Sequence, residues 1–534
     1  MIRSSQWSFS LREETAHILR ERSFAVSVGR LAKYLEHPDQ RVRFKGQFEL
    51  VKRGFLEELQ MATSQLDKIG RIHAIWGIGQ LHRKKESPDF KFLLDLLSDP
   101  DVEIRTQVIK IIGDHFGTQL ALHQATAPSV ESSSVAQALK PFLKDSSPRV
   151  KFHTAIALGN IGSAIEVDAI HDLLGQAGEE NTYLRHAAIV LATGCSPDAD
   201  LVALAKHDSE LIQKVAVVAL RRRASSSVTH FLSSPYENVV AEAARTIHDD
   251  WTIPEAIPNL AASLETTPWG KNQSIILRTI NASFHLGTPE AAQRVAAFST
   301  RSDVPIKLRL DALDALSKWT QPKKLDRVVG RYRPLAERDS TIAKDALSSQ
   351  LSKLLIDPES SIQSKAMSLA RSLEIELPSE ALVTLAENKD SLPELKVEAL
   401  RALHSQEYSR IQELLTAALQ AKQADVRIEA LALLAHSNPE QALNTIDQIL
   451  QKKGGNLSEK QAALALLIDP LTNNKASLLL LKFVGISDTM PAGLQLDLAE
   501  AAAVRKINYI GPNFSQTLVG GNAERGEDIF MNHL

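Results

Sequence analysis

The sequence predicts an all-α solenoid built from stacked helical pairs, and three observations carry that prediction. An apolar stripe with the spacing i, i+4, i+7, i+8 recurs along most of the chain, the period of one helical face. Short polar turns containing Asp and Pro precede many copies, where Pro suits the first turn of a new helix and ends the one before. Aromatic residues make up only 5% of the chain while Leu and Ala fill the apolar positions, a composition that favours close-packed helices over sheets.

The stripe is clearest at Ile104, Val108, Ile111 and Ile112, and it returns at Val150, Thr154, Ala157 and Leu158. Further copies are Leu184, Ala188, Leu191, Ala192 and Leu211, Val215, Val218, Ala219. In the second half it reads Leu308, Ala312, Ala315, Leu316, then Ile362, Ala366, Leu369, Ala370. The last strong copies are Leu395, Ala399, Ala402, Leu403 and Val426, Ala430, Leu433, Leu434, with weaker ones starting at Val42, Ile72, Val240 and Leu494. Neighbouring starts such as Val42 and Ile72, or Val150 and Leu184, lie 30 to 34 residues apart, which is room for two short helices. A pair of that length cannot bury its apolar face alone, so adjacent pairs must stack. The array is expected over residues 37–509, after an N-terminal helical segment at 1–36.

Two stretches break the rhythm. Between Ile104 and Val150 the surplus falls in 117–134, a Thr, Ser and Ala-rich stretch with Pro128 that reads as a surface loop. Between Leu308 and Ile362 there is room for an extra helical pair around 342–351 and a basic connection at 320–340. That connection holds Lys323, Lys324, Arg327, Arg331, Tyr332 and Arg333, interleaved with Val328, Val329 and Leu335. Because it departs from the repeat, it is the expected partner-docking segment.

A net charge of -3 disfavours a protein whose task is to neutralise phosphates, so no nucleic-acid partner is expected. The single cysteine, Cys195, cannot form an internal disulfide or a multi-thiolate metal site. No HExxH or GxSxG motif occurs, and Gly77-Ile78-Gly79 lies inside a helical-pair pattern rather than after a strand. The pairs His171-Asp172, His207-Asp208 and His248-Asp249 read as turn or capping residues, and Arg221 to Arg223 as a cationic helix end. Trp76, Trp251, Trp269 and Trp319 read as fillers between stacked units. No catalytic, cofactor-binding or metal-binding residues emerge, and a small-molecule substrate is not expected. No stretch is long and apolar enough to span a membrane, and the first residues lack the apolar core of a signal peptide, which as written points to the cytoplasm.

Cations recur at the second position of the stripe: Arg43, Arg105, Lys151, Arg185, Arg309, Lys396 and Arg427. With the Asp-Pro turns, this resembles the HEAT-repeat family, whose second helix opens with Val-Arg. The cations are expected to pair with turn carboxylates such as Asp39, Asp101 and Asp145 in a ladder between repeats. Near the end, Gly526 to Phe530 looks like the opening helix of a class I cytochrome c domain, so 510–534 reads as a linker and the start of such a domain. This order of parts, with His37 to Arg43, His73 to Gly77 and Asp326 to Leu335, resembles the HEAT region of large multidomain proteins from planctomycete-like bacteria. Those carry a quinoprotein-dehydrogenase-like propeller before the repeats and a haem-binding CxxCH domain after them. The resemblance implies a periplasmic or secreted electron-transfer polypeptide, with haem c expected only where a CxxCH follows; His533 lacks the two preceding cysteines that haem attachment requires.

The expected function is therefore a non-catalytic scaffold or spacer that contacts protein partners along the concave groove of the solenoid. A stand-alone intracellular adaptor is the alternative expectation.

Overall fold

The computed structural model describes residues 9–22, 25–84, 89–121, 130–164, 166, 168–175, 181–268, 271–468, 474–507, 527 and 531. Every regular element among the described residues is a helix, and the one bridge of β type joins Leu325 to Tyr332. The chain divides into two compact units, residues 1–263 with 267–269, and residues 264–266 with 270–534. Each unit is an α-solenoid, as the recurring stripe predicts.

In the first unit the stripe-bearing helices form one row. Gln40–Arg53 packs on Lys68–His82, then follow Val102–Ala121, Pro148–Ile161, Thr182–Cys195, Glu210–Arg222 and Glu237–Asp249, each against the one before. A shorter helix leans on most of them from the other layer: Val28–Tyr34 on Gln40–Arg53, Leu56–Gln65 on Lys68–His82, and Asp168–Gly175 on Thr182–Cys195. The second unit repeats the plan. There Gln273–Leu286, Ile306–Ser317 and Ser360–Ser372 stack in order, as do Pro393–Ser405, Ala424–Ser437, Leu457–Leu466 and Ala492–Val504.

The stripe is the core. Ile104, Val108 and Ile112, Val150, Thr154, Ala157 and Leu158, and Leu308, Ala312, Ala315 and Leu316 are all buried. Three residues depart from this pattern: Val218, Ala402 and Leu433, each at the i+7 position, are only half-buried. Turns are closed by local hydrogen bonds. Asp39 accepts from the Arg41 amide and Asp67 from the Gly70 amide, while Asn181 and Asn272 do the same for Leu184 and Ile275.

Several boundaries differ from those expected. The copy read from Ile72 is two residues out of register: the buried set is Gly70, Ala74, Gly77 and Ile78, and Ile72 is half-buried. Glycines hide the stripe from a count of apolar side chains. Here they are needed, because a Cβ at Gly77 would lie 2.9 Å from a Leu59 methyl and one at Gly79 2.6 Å from Ile111. The stretch 117–134 is helical at both ends, since Val102–Ala121 runs through its start and Val130–Leu139 opens within it; 122–129 lie outside the described residues. Residues 28–34 belong to the first helical pair rather than to a separate N-terminal segment. The helices expected around 342–351 exist as Ser340–Ser348 and Leu351–Leu355, but they add no extra repeat, because Ile306–Ser317 packs directly on Ser360–Ser372. Nearly all of 510–534 lies outside the described residues, including the cytochrome-like segment except for Glu527.

The tightest approach in the first unit is between Pro148–Ile161 and Thr182–Cys195. A Cβ at Gly194 would lie 1.9 Å from the Gly159 carbonyl oxygen, and one at Gly159 would lie 2.5 Å from the Val190 carbonyl oxygen. These neighbours are backbone and cannot rotate away. We expect Gly194→Ala to cost this unit about 1–3 kcal/mol through overpacking, read as a lowered thermal midpoint by circular dichroism.

Candidate interaction surface

At several stripe-bearing helices the second position performs a structural task first. Arg43 donates to the His37 and Pro38 carbonyls at 2.7 and 2.8 Å, six and five residues back. Arg105 makes the same two bonds to Asp99 and Pro100, and Arg427 to Ala421 and Lys422. A neutral side chain can do it too, since Gln363 donates to Asp357 O, and Gln213, two residues after the stripe start read at Leu211, donates likewise to His207 O. The turn is thereby stapled to the helix that follows it.

The guanidinium then reaches the next repeat. Arg105 pairs with Asp145 at 3.2 Å, Arg427 is bidentate on Glu459 at 2.9 and 2.8 Å, and Arg309 is bidentate on Asp357. Arg71, which occupies the second position in the corrected register, pairs with Asp99. Arg43 instead donates to His73 Nε2 at 3.0 Å while His73 Nδ1 meets Gln47 Oε1 at 2.7 Å. Burial, then the Arg43 charge, push this imidazole down to about 4, so it stays neutral as the acceptor. The expected ladder is therefore present with some partners exchanged: Asp145 takes its predicted role, whereas Asp39 pairs with Arg41 and Asp101 with Lys68. Lys151 and Lys396 are buried, and Arg185 is exposed.

The basic connection folds as a hairpin within the second unit. Asp326 N donates to Arg331 O, Gly330 N to Asp326 O, and Arg333 N to Lys324 O, with Gly330 at a φ of 67°. Its organiser is Asp326. This buried carboxylate accepts from the amides of Val328 and Val329, both at 2.8 Å, and from Asn281 Nδ2 at 2.9 Å. It also contacts His285 Nε2 at 2.9 Å and Arg333 at 3.5 Å. Arg327 folds back onto Asp311 and Asp314 and lies 5.5 Å from the Phe284 ring centre. Burial raises the Asp311 carboxyl above its ordinary value; at Asp314 burial is outweighed by Lys318 and Arg327, and that carboxyl sits below it. Of the six residues the sequence singles out, Arg327 and Arg333 thus serve the hairpin itself. Lys323, Lys324, Arg331 and Tyr332 are exposed, Tyr332 by 68%.

Several of the other flagged residues have structural partners. His207 Nδ1 accepts from the Ser209 amide and His37 Nδ1 from the Asp39 amide, the capping role expected of turn histidines. Arg221 pairs with Asp250 and Glu242, and Arg223 with Asp198. Trp319 is fully buried, and Trp76 donates to Gln107 at 2.8 Å. Burial pushes the Cys195 thiol up to about 12, which removes it as a nucleophile at neutral pH. No helix among the described residues is long and apolar enough to cross a membrane.

Sequence reasoning missed a groove in the second unit, formed where Ser360–Ser372, Pro393–Ser405 and Ala424–Ser437 bring their outward-facing residues together. Its volume is about 930 Å³. Ile375, Leu377, Val397 and Ala402 supply apolar surface, and Ala402 is one of the half-buried i+7 residues. Arg371 pairs across it with Glu398, and Arg401 reaches Glu429 at 2.6 Å, a hydrogen bond that raises the Arg401 pKa. Glu376, Glu394 and Asp425 also line it, all exposed and without a hydrogen-bonded or ionic partner among the described residues. The only signal for it in the sequence is small Ala at i+7 followed by polar Ser405 and Gln406.

No family model and no curated protein matches this chain. Among solved structures it is similar to the Kap95p complex with RanGDP, at 13% identity over 94% of this chain and 74% of that chain, with a TM-score of 0.36. It is similar to the S. pombe condensin Cnd3-Cnd2 subcomplex at 13% identity, 89% and 75% coverage and a TM-score of 0.30. The E. coli protein YibA matches at 15% identity over 57% of this chain and 97% of that chain, with a TM-score of 0.28. The assignment to an all-α, HEAT-like solenoid rests on the helical rows of the chain itself.

Two measurements test this account. Arg309 and Asp357 are both buried, so Arg309→Met leaves a buried carboxylate without its cation and should cost about 3–5 kcal/mol, read from urea denaturation. Asp326→Ala removes the acceptor that gathers five donors; trypsin cleavage at Lys323, Lys324 and Arg331 should accelerate roughly tenfold or more while overall helicity is unchanged.

Proposed function

We propose that this chain is a non-catalytic scaffold that binds protein partners, and that the second unit's groove is its principal contact surface. The observation that carries this reading is the groove itself: an open amphipathic trough of about 930 Å³ lined from three helices of one row, whose carboxylates Glu376, Glu394 and Asp425 have no hydrogen-bonded or ionic partner among the described residues. Pockets of this size commonly hold a ligand or a few anchoring side chains. Arg43, Arg105 and Arg427 staple turns, and Arg105, Arg309 and Arg427 link neighbouring repeats, which is a structural use of those charges.

The exposed edge of the hairpin, Lys323, Lys324, Arg331 and Tyr332, is a second contact in this proposal. A solvated tyrosine among cations on a hairpin held by a buried carboxylate is a preorganised surface, which lowers the ordering cost of docking. The wider setting we propose is a larger haem-containing electron-transfer polypeptide in which the repeats act as spacer. Its support is the resemblance carried by His37 to Arg43, Asp326 to Leu335 and Gly526 to Phe530.

The test is a quantitative pull-down from lysate of the source organism. Val397→Glu, in the groove, should reduce recovery of the proteins bound by the natural chain by about fivefold or more, whereas Thr384→Glu on the exposed side of Ser379–Glu387 should not. Equal recovery with both variants overturns the groove as the contact surface. Lys324→Ala with Tyr332→Ala tests the hairpin in the same way, and a covalent haem stain of the polypeptide that carries these repeats in the source organism tests the electron-transfer setting.

A further inference from the structure

Resting on the scaffold reading, we infer that the groove of the second unit takes a basic protein segment carrying an aliphatic anchor. The charge balance of the lining selects such a partner. Arg371 and Arg401, the two cations there, are engaged by Glu398 and Glu429. What remains is one sign only: Glu376, Glu394 and Asp425 are exposed and unpaired among the described residues.

These carboxylates come from separate elements. Glu376 lies in the turn after Ser360–Ser372, Glu394 in the first turn of Pro393–Ser405, and Asp425 in the first turn of Ala424–Ser437. A partner that answers all three must therefore carry several cations spaced along its length. The helix dipoles explain why the two first-turn carboxylates are tolerated without cations of their own, since negative charge near a helix N-terminus is stabilised. They are available to a ligand at no cost to the fold.

The apolar part of the lining decides between a small polycation and a polypeptide. Ile375, Leu377 and Val397 are half-buried, so their remaining exposed surface rewards a ligand that brings aliphatic side chains. A polyamine brings charge and no branched apolar group. A segment that alternates Lys or Arg with Leu or Val answers both features, with charge setting the approach and the aliphatic contact holding it.

The experiment titrates the full chain into fluorescein-labelled peptides and reads anisotropy. One peptide mixes Lys, Leu and Ser, a second has Glu for Lys, and a third has Ser for Leu. The first should bind, and its affinity should fall as salt rises from about 50 to about 300 mM, because surface charges are screened over that range. The Glu394→Gln, Asp425→Asn double variant should weaken it about tenfold, and Leu377→Ser should weaken it several-fold, with melting curves confirming that each variant folds. Equal binding of the Glu peptide, or no effect of the double variant, overturns the inference. Equal binding of the Ser-for-Leu peptide, together with displacement by spermine, overturns it in favour of a small polycation. If the Lys peptide fails while the pull-down remains sensitive to Val397→Glu, this inference falls and the scaffold reading stands; if both fail, the scaffold reading falls with it.

Discussion

Stacking is the constraint on which everything else in this molecule depends. A pair of helices about 30 residues long has an apolar stripe on one side and no partner of its own to cover it, so each pair is stable only against its neighbours. The register between neighbours must then be fixed by something more directional than hydrophobic contact. In this chain the second residue of the stripe-bearing helix does so. At Arg43, Arg105 and Arg427 the side chain closes the preceding turn through two carbonyls, and Arg105 and Arg427 extend on to Asp145 and Glu459 of the next repeat. One side chain sets both the geometry within a repeat and the geometry between repeats.

That arrangement also explains where binding surface can arise. The positions i, i+4 and i+8 of the stripe point into the stack and are spent on the core. Position i+7 is buried in several copies, as at Ala157 and Ala315, but Ala402 and Leu433 stay half-buried. At the groove the small, half-buried Ala402 lies beside the longer polar Arg401, Ser405 and Gln406, which form part of its walls. The groove of the second unit is thus a by-product of the same periodicity that builds the core. Its specificity comes from residues the core does not use, such as Glu394 and Asp425.

The sequence made the architecture legible because burial in a helical pair leaves a periodic trace. The stripe at Ile104, Val150, Leu308 and Ile362 is buried as read, and of the cations at the second position Arg105, Arg309 and Arg427 link repeats through carboxylates. Where reading failed, the cause is specific. At residues 70–78 the stripe contains two glycines, so the contact is made by the absence of a side chain and no apolar count registers it. The helix Gln273–Leu286 escaped notice because its buried face includes Thr279 and Ser283. The hairpin was recognised as a departure from the repeat, but not its organiser: Asp326 is one acid among many in the sequence, and its role depends on Asn281 and His285, more than 40 residues earlier. The groove was invisible for the same reason, since its lining comes from three helices.

The hairpin and the groove show two opposite treatments of charge. In the hairpin a single buried carboxylate is satisfied by amides, an amide side chain, an imidazole and a guanidinium, and that full satisfaction is what permits its burial. Arg327 is likewise absorbed by Asp311 and Asp314. In the groove three carboxylates are left exposed to solvent, where an unpaired charge carries little penalty. Glu394 and Asp425 lie in the first turns of their helices, where the dipole tolerates negative charge, and Glu376 has no partner among the described residues. Their physical value lies in what they do to an approaching molecule: a long-range pull on positive charge, followed by short-range contact with Leu377 and Val397 once water is displaced.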